Sequence, residues 1–264
     1  MIKPLFSQQK MPMLLTSLSD NDAAKTICTI RNAIYDGTDG FLLHMEKMGQ
    51  ECLDEDSLAK IFLYTGDKPL YTMNYRMRNT GKNDETLIQE QLLAVQAGAS
   101  MIDMMGDMFD PSPYELTMDK KAILKQQQII EKVHEFGGEV LMSSHTWVSM
   151  TTEDVLKHTK ALEARGADFI KIAMKVTSKE EAAEAMKTTV IVSRELKVPF
   201  LHICMGQYGK LHRAIGPMLG SCFALCVQQY TEAGLKDKPL LRAEKAVFDN
   251  LDYMMARDAL LGTK

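Results

Sequence analysis

A (β/α)8 TIM barrel, one catalytic domain over residues 1–264, is the fold this sequence predicts, and three observations predict it. Short apolar or β-branched runs alternate with charged stretches of helical spacing along the whole chain, which is the mark of βα units around a parallel sheet. The runs number eight, so 264 residues leave about 33 per unit, and about 250 residues is the usual size of an eightfold barrel. No linker or shift of composition sets a second domain apart, and 45% apolar with 25% charged residues suits a chain that buries a sizeable core.

In chain order the expected strands are MLLTSL (13–18), GFLLHM (40–45), PLYTMNY (69–75), MIDMMGD (101–107), EVLMSSH (139–145), DFIKIAM (168–174), PFLHICM (199–205) and SCFALCV (221–227). A helix fills each gap between them. Capping or acidic residues mark the helix starts at 20–23, 54–57, 83–85, 119, 151–153 and 178–180, where the positive end of the helix dipole favours them. Gly98, Gly137 with Gly138, and Gly166 stand between a helix and the next strand, where a cap with positive φ is expected. An open doubly wound sheet shows the same alternation. Its phosphate-cradling turns are missing, since neither G-x-G-x-x-G nor G-x-x-x-x-G-K-[ST] occurs.

A net charge of -4 argues against a nucleic-acid binder working through a broad basic field and leaves small acidic metabolites as partners. The N-terminal MIKPLFSQQKMPMLLTSL lacks an apolar run of signal-peptide length, and no stretch is apolar enough to span a membrane. The expected location is the cytoplasm. The five cysteines, Cys28, Cys52, Cys204, Cys222 and Cys226, are scattered without C-x-x-C spacing and read as free, mostly buried thiols. The twenty methionines read as core filler.

Barrel chemistry gathers at the carboxyl ends of the strands. Strand six carries Lys171 inside an apolar run, and strand five ends on His145. A lysine buried in a strand loses hydration, which disfavours the ammonium and yields an amine that attacks a carbonyl to form an imine. The alternatives are a lysine paired with a barrel carboxylate or one that snorkels to a rim. Consecutive barrel strands are neighbours, so His145 converges on Lys171 and suits moving a proton at the carbon beside an imine. After strand seven, MGQYGKLHRAIG places Lys210, His212 and Arg213 where barrels often bind anions. Arg213 is a candidate fork onto a carboxylate. After strand three, NYRMRNTGK offers Arg76, Arg78 and Lys82, with Arg76 the preferred carboxylate clamp.

Three of these segments resemble a known family. VLMSSH (140–145) is similar to the strand that ends in the catalytic histidine of the type I 3-dehydroquinate dehydratases, ADFIKIAM (167–174) to their Schiff-base lysine strand, and MGQYGKLHRAIGPMLGS (205–221) to the segment bearing their substrate-carboxylate arginine, with Arg213 in its place. TSL (16–18) and KPLYT (68–72) also fit. The resemblance implies a (β/α)8 barrel, a homodimer that needs no metal or organic cofactor, and a lyase of the shikimate pathway to the aromatic amino acids. In that reading Lys171 forms the imine, His145 moves the proton, and Arg213 with Arg76 holds the carboxylate of 3-dehydroquinate or a related keto acid.

The chain also departs from the family. An E-x-R pair expected in strand two, whose glutamate supports the histidine and whose arginine grips substrate, is replaced in FLLHMEKM by Leu43 and Met45 or, one step along, by His44 and Glu46. His44 or Glu46 is then the expected support of His145. The strand-three arginine falls near Asn74, the lid serine and glutamine at Thr231 and Leu235, and Met105 replaces a strand-four glutamate while Asp103 remains. The pattern keeps the covalent machinery and alters the recognition shell. Two other readings accompany it. One is a metal-dependent lyase or aldolase in the same barrel, with Asp103, Asp107, Asp110 and His145 as ligands. The other is a barrel that binds keto acids without turning them over.

Overall fold

The computed structural model of the protein describes residues 4–79, 81–231 and 237–260. All eight expected strands form: β1 (Met13–Leu18), β2 (Gly40–His44), β3 (Leu70–Met73), β4 (Met101–Met105), β5 (Glu139–His145), β6 (Phe169–Lys175), β7 (Phe200–Met205) and β8 (Phe223–Cys226). They run parallel in the order β8-β1-β2-β3-β4-β5-β6-β7. A bridge between Phe200 and Ser221, with the Cys222 N–H donating to the Phe200 carbonyl at 2.8 Å, brings β7 against β8 and nearly closes the barrel.

Helices follow every strand: α1 (Ala23–Tyr35), α2 (Glu55–Leu63), α3 (Asp84–Gln96), α4 (Lys120–Glu135), α5 (Thr152–Glu163), α6 (Lys179–Glu195), α7 (Gly209–Ile215) and α8 (Leu241–Leu260). At each of the six helix starts marked by sequence, a side-chain oxygen accepts from a first-turn N–H: Asp22, Asp54, Asn83, Asp119, Thr151 and Ser178. Each such cap contributes about 1 kcal/mol. Alternate strand residues face outward and pack on the helices, as Leu14, Leu18, Phe41 and Leu43 do against Ile30, Ala33, Leu58 and Ile61. Four of the five cysteines are buried thiols and Cys28 is exposed. No helix among the described residues is long and apolar enough to cross a membrane.

The barrel is filled at the amino ends of its strands. Phe6, from a 3-10 turn at Phe6–Gln8, packs edge-on against Tyr71, Phe169 and Phe223 with ring centroids 5.3 to 6.5 Å apart. The turn is pinned there by Glu139, which accepts from the N–H groups of Phe6 and Ser7 at 2.7 and 3.0 Å. With this end plugged by rings, the cavity that Lys171 and His145 line opens toward the carboxyl ends of the strands.

Candidate active site

The inward positions of β5 and β6 place the two residues singled out in sequence. Register pairs Ser143 with Lys171 and His145 with Ala173, so Lys171 sits one layer below His145 on the neighbouring strand. Both line a cavity of about 280 Å³ at the carboxyl ends. Lys171 is 2% exposed but does not stand alone. Its Nζ donates to Asp103 Oδ2 of β4 at 2.8 Å and lies 3.5 Å from Met73 Sδ, while the Ser143 hydroxyl donates to the other Asp103 oxygen. Of the three positions open to a strand lysine, an isolated amine, a partner to a barrel carboxylate or a side chain reaching a rim, the second is realised, and it leaves the nitrogen on the cavity wall.

His145 is held by a residue the sequence did not single out. Glu115, in the loop between β4 and α4, accepts through Oε2 from the His145 backbone N–H at 2.7 Å and from Nδ1 at 2.8 Å, and through Oε1 from the Tyr75 hydroxyl at 2.5 Å. This assigns the ring proton to Nδ1 and leaves the lone pair on Nε2. Burial opposes the charge of Glu115, yet the bonds from His145 and Tyr75 prevail and hold its carboxyl below the usual range. Burial and the Glu115 carboxylate push the Tyr75 phenol up, so it remains a donor. Glu115 adopts φ 50°, and Trp147, beside the imidazole, φ 55°. Such left-handed conformations cost on the order of 1 kcal/mol each. The close approach of this loop also requires Gly106, because a Cβ there would stand 2.6 Å from the Glu115 carbonyl oxygen.

The opposite wall is built by β2 and the segment before α8, with Ser17 of β1 behind it. Strand two adopts the register that turns His44 and Glu46 inward, with Leu43 and Met45 packed outward among the helices. The expectation that one of this pair orients His145 is not met, since Glu115 does so. His44 Nδ1 instead donates to Glu46 Oε1 at 2.9 Å, and Lys238 lies 3.1 Å from His44 Nε2 and 2.8 Å from Ser17 Oγ. Burial, then the charge of Lys238, pushes His44 down to about 4. Burial and the nearby Arg213 push Lys238 down to about 7. Arg213 lines the cavity as expected, but its Nη2 bonds Asp237 at 2.7 Å and its Nε donates to the Cys204 carbonyl at 2.9 Å.

Arg76 lies outside the cavity. The face it was expected to share with Asn74 needs an extended strand, and β3 ends at Met73. Asn74 bonds Glu90 at 2.7 Å. Past Met73 the chain coils into a 3-10 turn at Arg76–Arg78, where Arg76 forks onto Asp84 at 2.8 Å and reaches Asp107 at 3.0 Å. Arg78 lines the cavity instead. Thr231 is exposed, and Leu235 lies outside the described residues. The four ligands considered for a divalent ion do not converge: Asp103 meets Lys171, Asp107 meets Arg76 and the Ser112 N–H, Asp110 meets Thr117, and His145 meets Glu115. Among the described residues, the side chains close enough to share an ion are His202, Cys204 and His212, with His202 and Cys204 on β7 and His212 on α7.

Glu115, Tyr75 and Lys238 are the site residues that sequence reasoning missed. Tyr75 carried a weak signal, being in step with inward Met73. Glu115 and Lys238 carried none, since neither lies in a periodic segment.

The family model for type I 3-dehydroquinase matches residues 60–234. The 3-dehydroquinate dehydratase of Alkaliphilus oremlandii is 25% identical over 190 residues, covering 71% of this chain and 68% of the relative. That of Lactiplantibacillus plantarum is 28% identical over 120 residues, or 45% of this chain and 46% of the relative. Among solved structures, a type I 3-dehydroquinate dehydratase from Clostridium difficile, covalently modified with comenic acid, superposes with a TM-score of 0.78 at 14% identity over 93% of this chain and 94% of that one. The 3-dehydroquinate dehydratase of Geobacillus kaustophilus does so with a TM-score of 0.77 at 16% identity over 92% and 91%.

Proposed function

The chain belongs to the type I 3-dehydroquinase family, and on that premise we propose that it is a carbon–oxygen lyase of the shikimate pathway, removing water from 3-dehydroquinate, or a keto acid of the same carboxylate-bearing class, through an imine on Lys171. The observation that carries the reading is that the Lys171 amine and the His145 imidazole line one cavity, each held by its own carboxylate.

The steps follow from those contacts. Lys171 passes a proton to Asp103, and its neutral amine attacks the ketone carbon. Asp103 returns its proton to the carbinolamine hydroxyl, which leaves as water, and the positive charge of the resulting iminium lies beside the ionised Asp103. The iminium draws electrons from the adjacent carbon, where Nε2 of His145 removes a proton. The C–H electron pair enters an enamine and reduces the iminium charge. The enamine then expels the β-hydroxyl, which takes a proton from the imidazolium and leaves as water while the new double bond and the iminium form. A second water hydrolyses the imine and restores the amine. Glu115 keeps the Nδ1 proton in place and stabilises the imidazolium when it forms. The Arg213–Asp237 pair borders the cavity beside Lys238.

Sodium borohydride with 3-dehydroquinate tests the mechanism. Intact mass is expected to show a reduced adduct located at Lys171, with enone absorbance rising in the unreduced reaction. Turnover without an adduct overturns the covalent route, and neither turnover nor adduct overturns the substrate. As part of the same proposal the chain acts as one catalytic domain, in a cytoplasmic homodimer, a reading supported by the family resemblance; light scattering at twice the chain mass checks the dimer.

A further inference from the structure

Lys47 and Arg78 line the cavity from half-buried and exposed positions, and the three deeply set cations are not equivalent. Lys171 is matched by Asp103 and Arg213 by Asp237, each across 2.7 to 2.8 Å. Lys238 is 5% exposed and lines the same cavity, yet among the described residues no carboxylate lies within ion-pair distance of it. Its recorded contacts, Ser17 Oγ at 2.8 Å and His44 Nε2 at 3.1 Å, are both neutral. An ammonium has three N–H donors, so two acceptors leave one for the cavity. The pair behind it fixes the sense of these bonds. Because His44 Nδ1–H donates to Glu46, Nε2 presents a lone pair, and Lys238 must donate.

We propose that Lys238 takes the substrate's carboxylate directly, with His44 and Glu46 as its positioning pair and Ser17 as its second anchor. The inference rests on the dehydratase reading of this site and names the contact that reading leaves open. A buried ammonium without a counter-charge is costly, and a ligand carboxylate supplies that charge when it docks. Arg213, already closed on Asp237, then serves to place the segment that carries Lys238.

Linkage follows. Burial and the charge of Arg213 push Lys238 down to about 7, and the ammonium is the binding form, so affinity is full below that pH and falls as pH rises through it. The ionisable groups facing it are His44 and Lys47 from β2 and its following turn, Arg213 and Asp237, Lys171 across the cavity, and Cys226 on β8. The Cys226 thiol is pushed well above the range concerned.

Quinate, which carries the carboxylate and hydroxyls but no ketone, separates recognition from imine formation. Calorimetric titration is expected to show wild-type binding that weakens between pH 6 and 9. Lys238→Met is expected to lose about 30- to 100-fold in affinity at pH 6. Lys238→Arg is expected to bind within about fivefold of wild type at pH 6 and to lose the pH dependence, since guanidinium stays charged. With saturating 3-dehydroquinate, Lys238→Met still gives the borohydride adduct at Lys171. Unchanged quinate affinity in Lys238→Met, pH-independent wild-type binding, or no quinate binding by wild type overturns the role of Lys238. Absence of the Lys171 adduct in wild type overturns the dehydratase reading instead. If Lys238→Met unfolds, the pH profiles of wild type and Lys238→Arg decide.

Discussion

The two walls of the cavity differ in how their charges are settled. On the β4–β6 side each reactive group is locked to a carboxylate, Lys171 to Asp103 and His145 to Glu115. On the β1–β2 side a neutral histidine and a hydroxyl support an amine that has no anion of its own. The contrast teaches that chemistry and recognition are separable here. A wall that must act on any bound ketone is preorganised by fixed pairs, and a wall that must select a ligand is left one charge short.

The comparison breaks first at Lys171. Lys171→Met is expected to lower kcat/KM by about 10⁴-fold or more and to destabilise the fold by about 3 kcal/mol, because Asp103 is left buried and unpaired. Lys171→Met with Asp103→Asn recovers much of that stability in urea unfolding while activity stays lost. Recovery of activity as well would show that Lys171 serves the fold alone. At Glu115, replacement by Gln should cut kcat by about 10²-fold, with KM nearly unchanged, since the imidazole loses the carboxylate that stabilises its charged form. A fall in affinity with kcat intact would move Glu115 to the recognition wall.

Across the cavity the split should reverse. His44→Ala is expected to raise KM by about tenfold with little change in kcat, and steady-state kinetics on 3-dehydroquinate reads the ratio. An equal loss in kcat would erase the distinction between the walls. The smallest effect concerns stability. Burial pushes His44, His158 and His212 down to about 4. Between pH 6.5 and 4 the unfolded chain therefore binds more protons than the folded one, and stability falls as pH falls through that window. Thermal unfolding across it should show His158→Gln losing less stability than wild type, on the order of 1 kcal/mol per pH unit less.

Much of the barrel was legible because its determinants are local. Asp22, Asp54, Asn83, Asp119, Thr151 and Ser178 cap the helices they announce, and the apolar runs form strands within a few residues of their expected ends. Lys171 and His145 were legible for a related reason: a charged or titratable side chain at an inward strand position has no destination except the barrel interior. Arg76 shows where the same logic stops. A spacing of two places residues on one face only while the chain stays extended, and β3 ends at Met73 before the turn that carries Arg76.

What the chain determined by itself is the succession of eight βα units, the helix ends, and the presence of an amine and an imidazole on adjacent strands, since each depends on neighbours in sequence or on a period of two. Only the tertiary structure decided which carboxylates meet them. Glu115 reaches His145 from 30 residues away, Asp103 reaches Lys171 from 68 and Lys238 reaches His44 from 194. Closing the barrel converts such separations into contacts of about 3 Å, and no periodicity in the chain records which loop will be nearest when it closes.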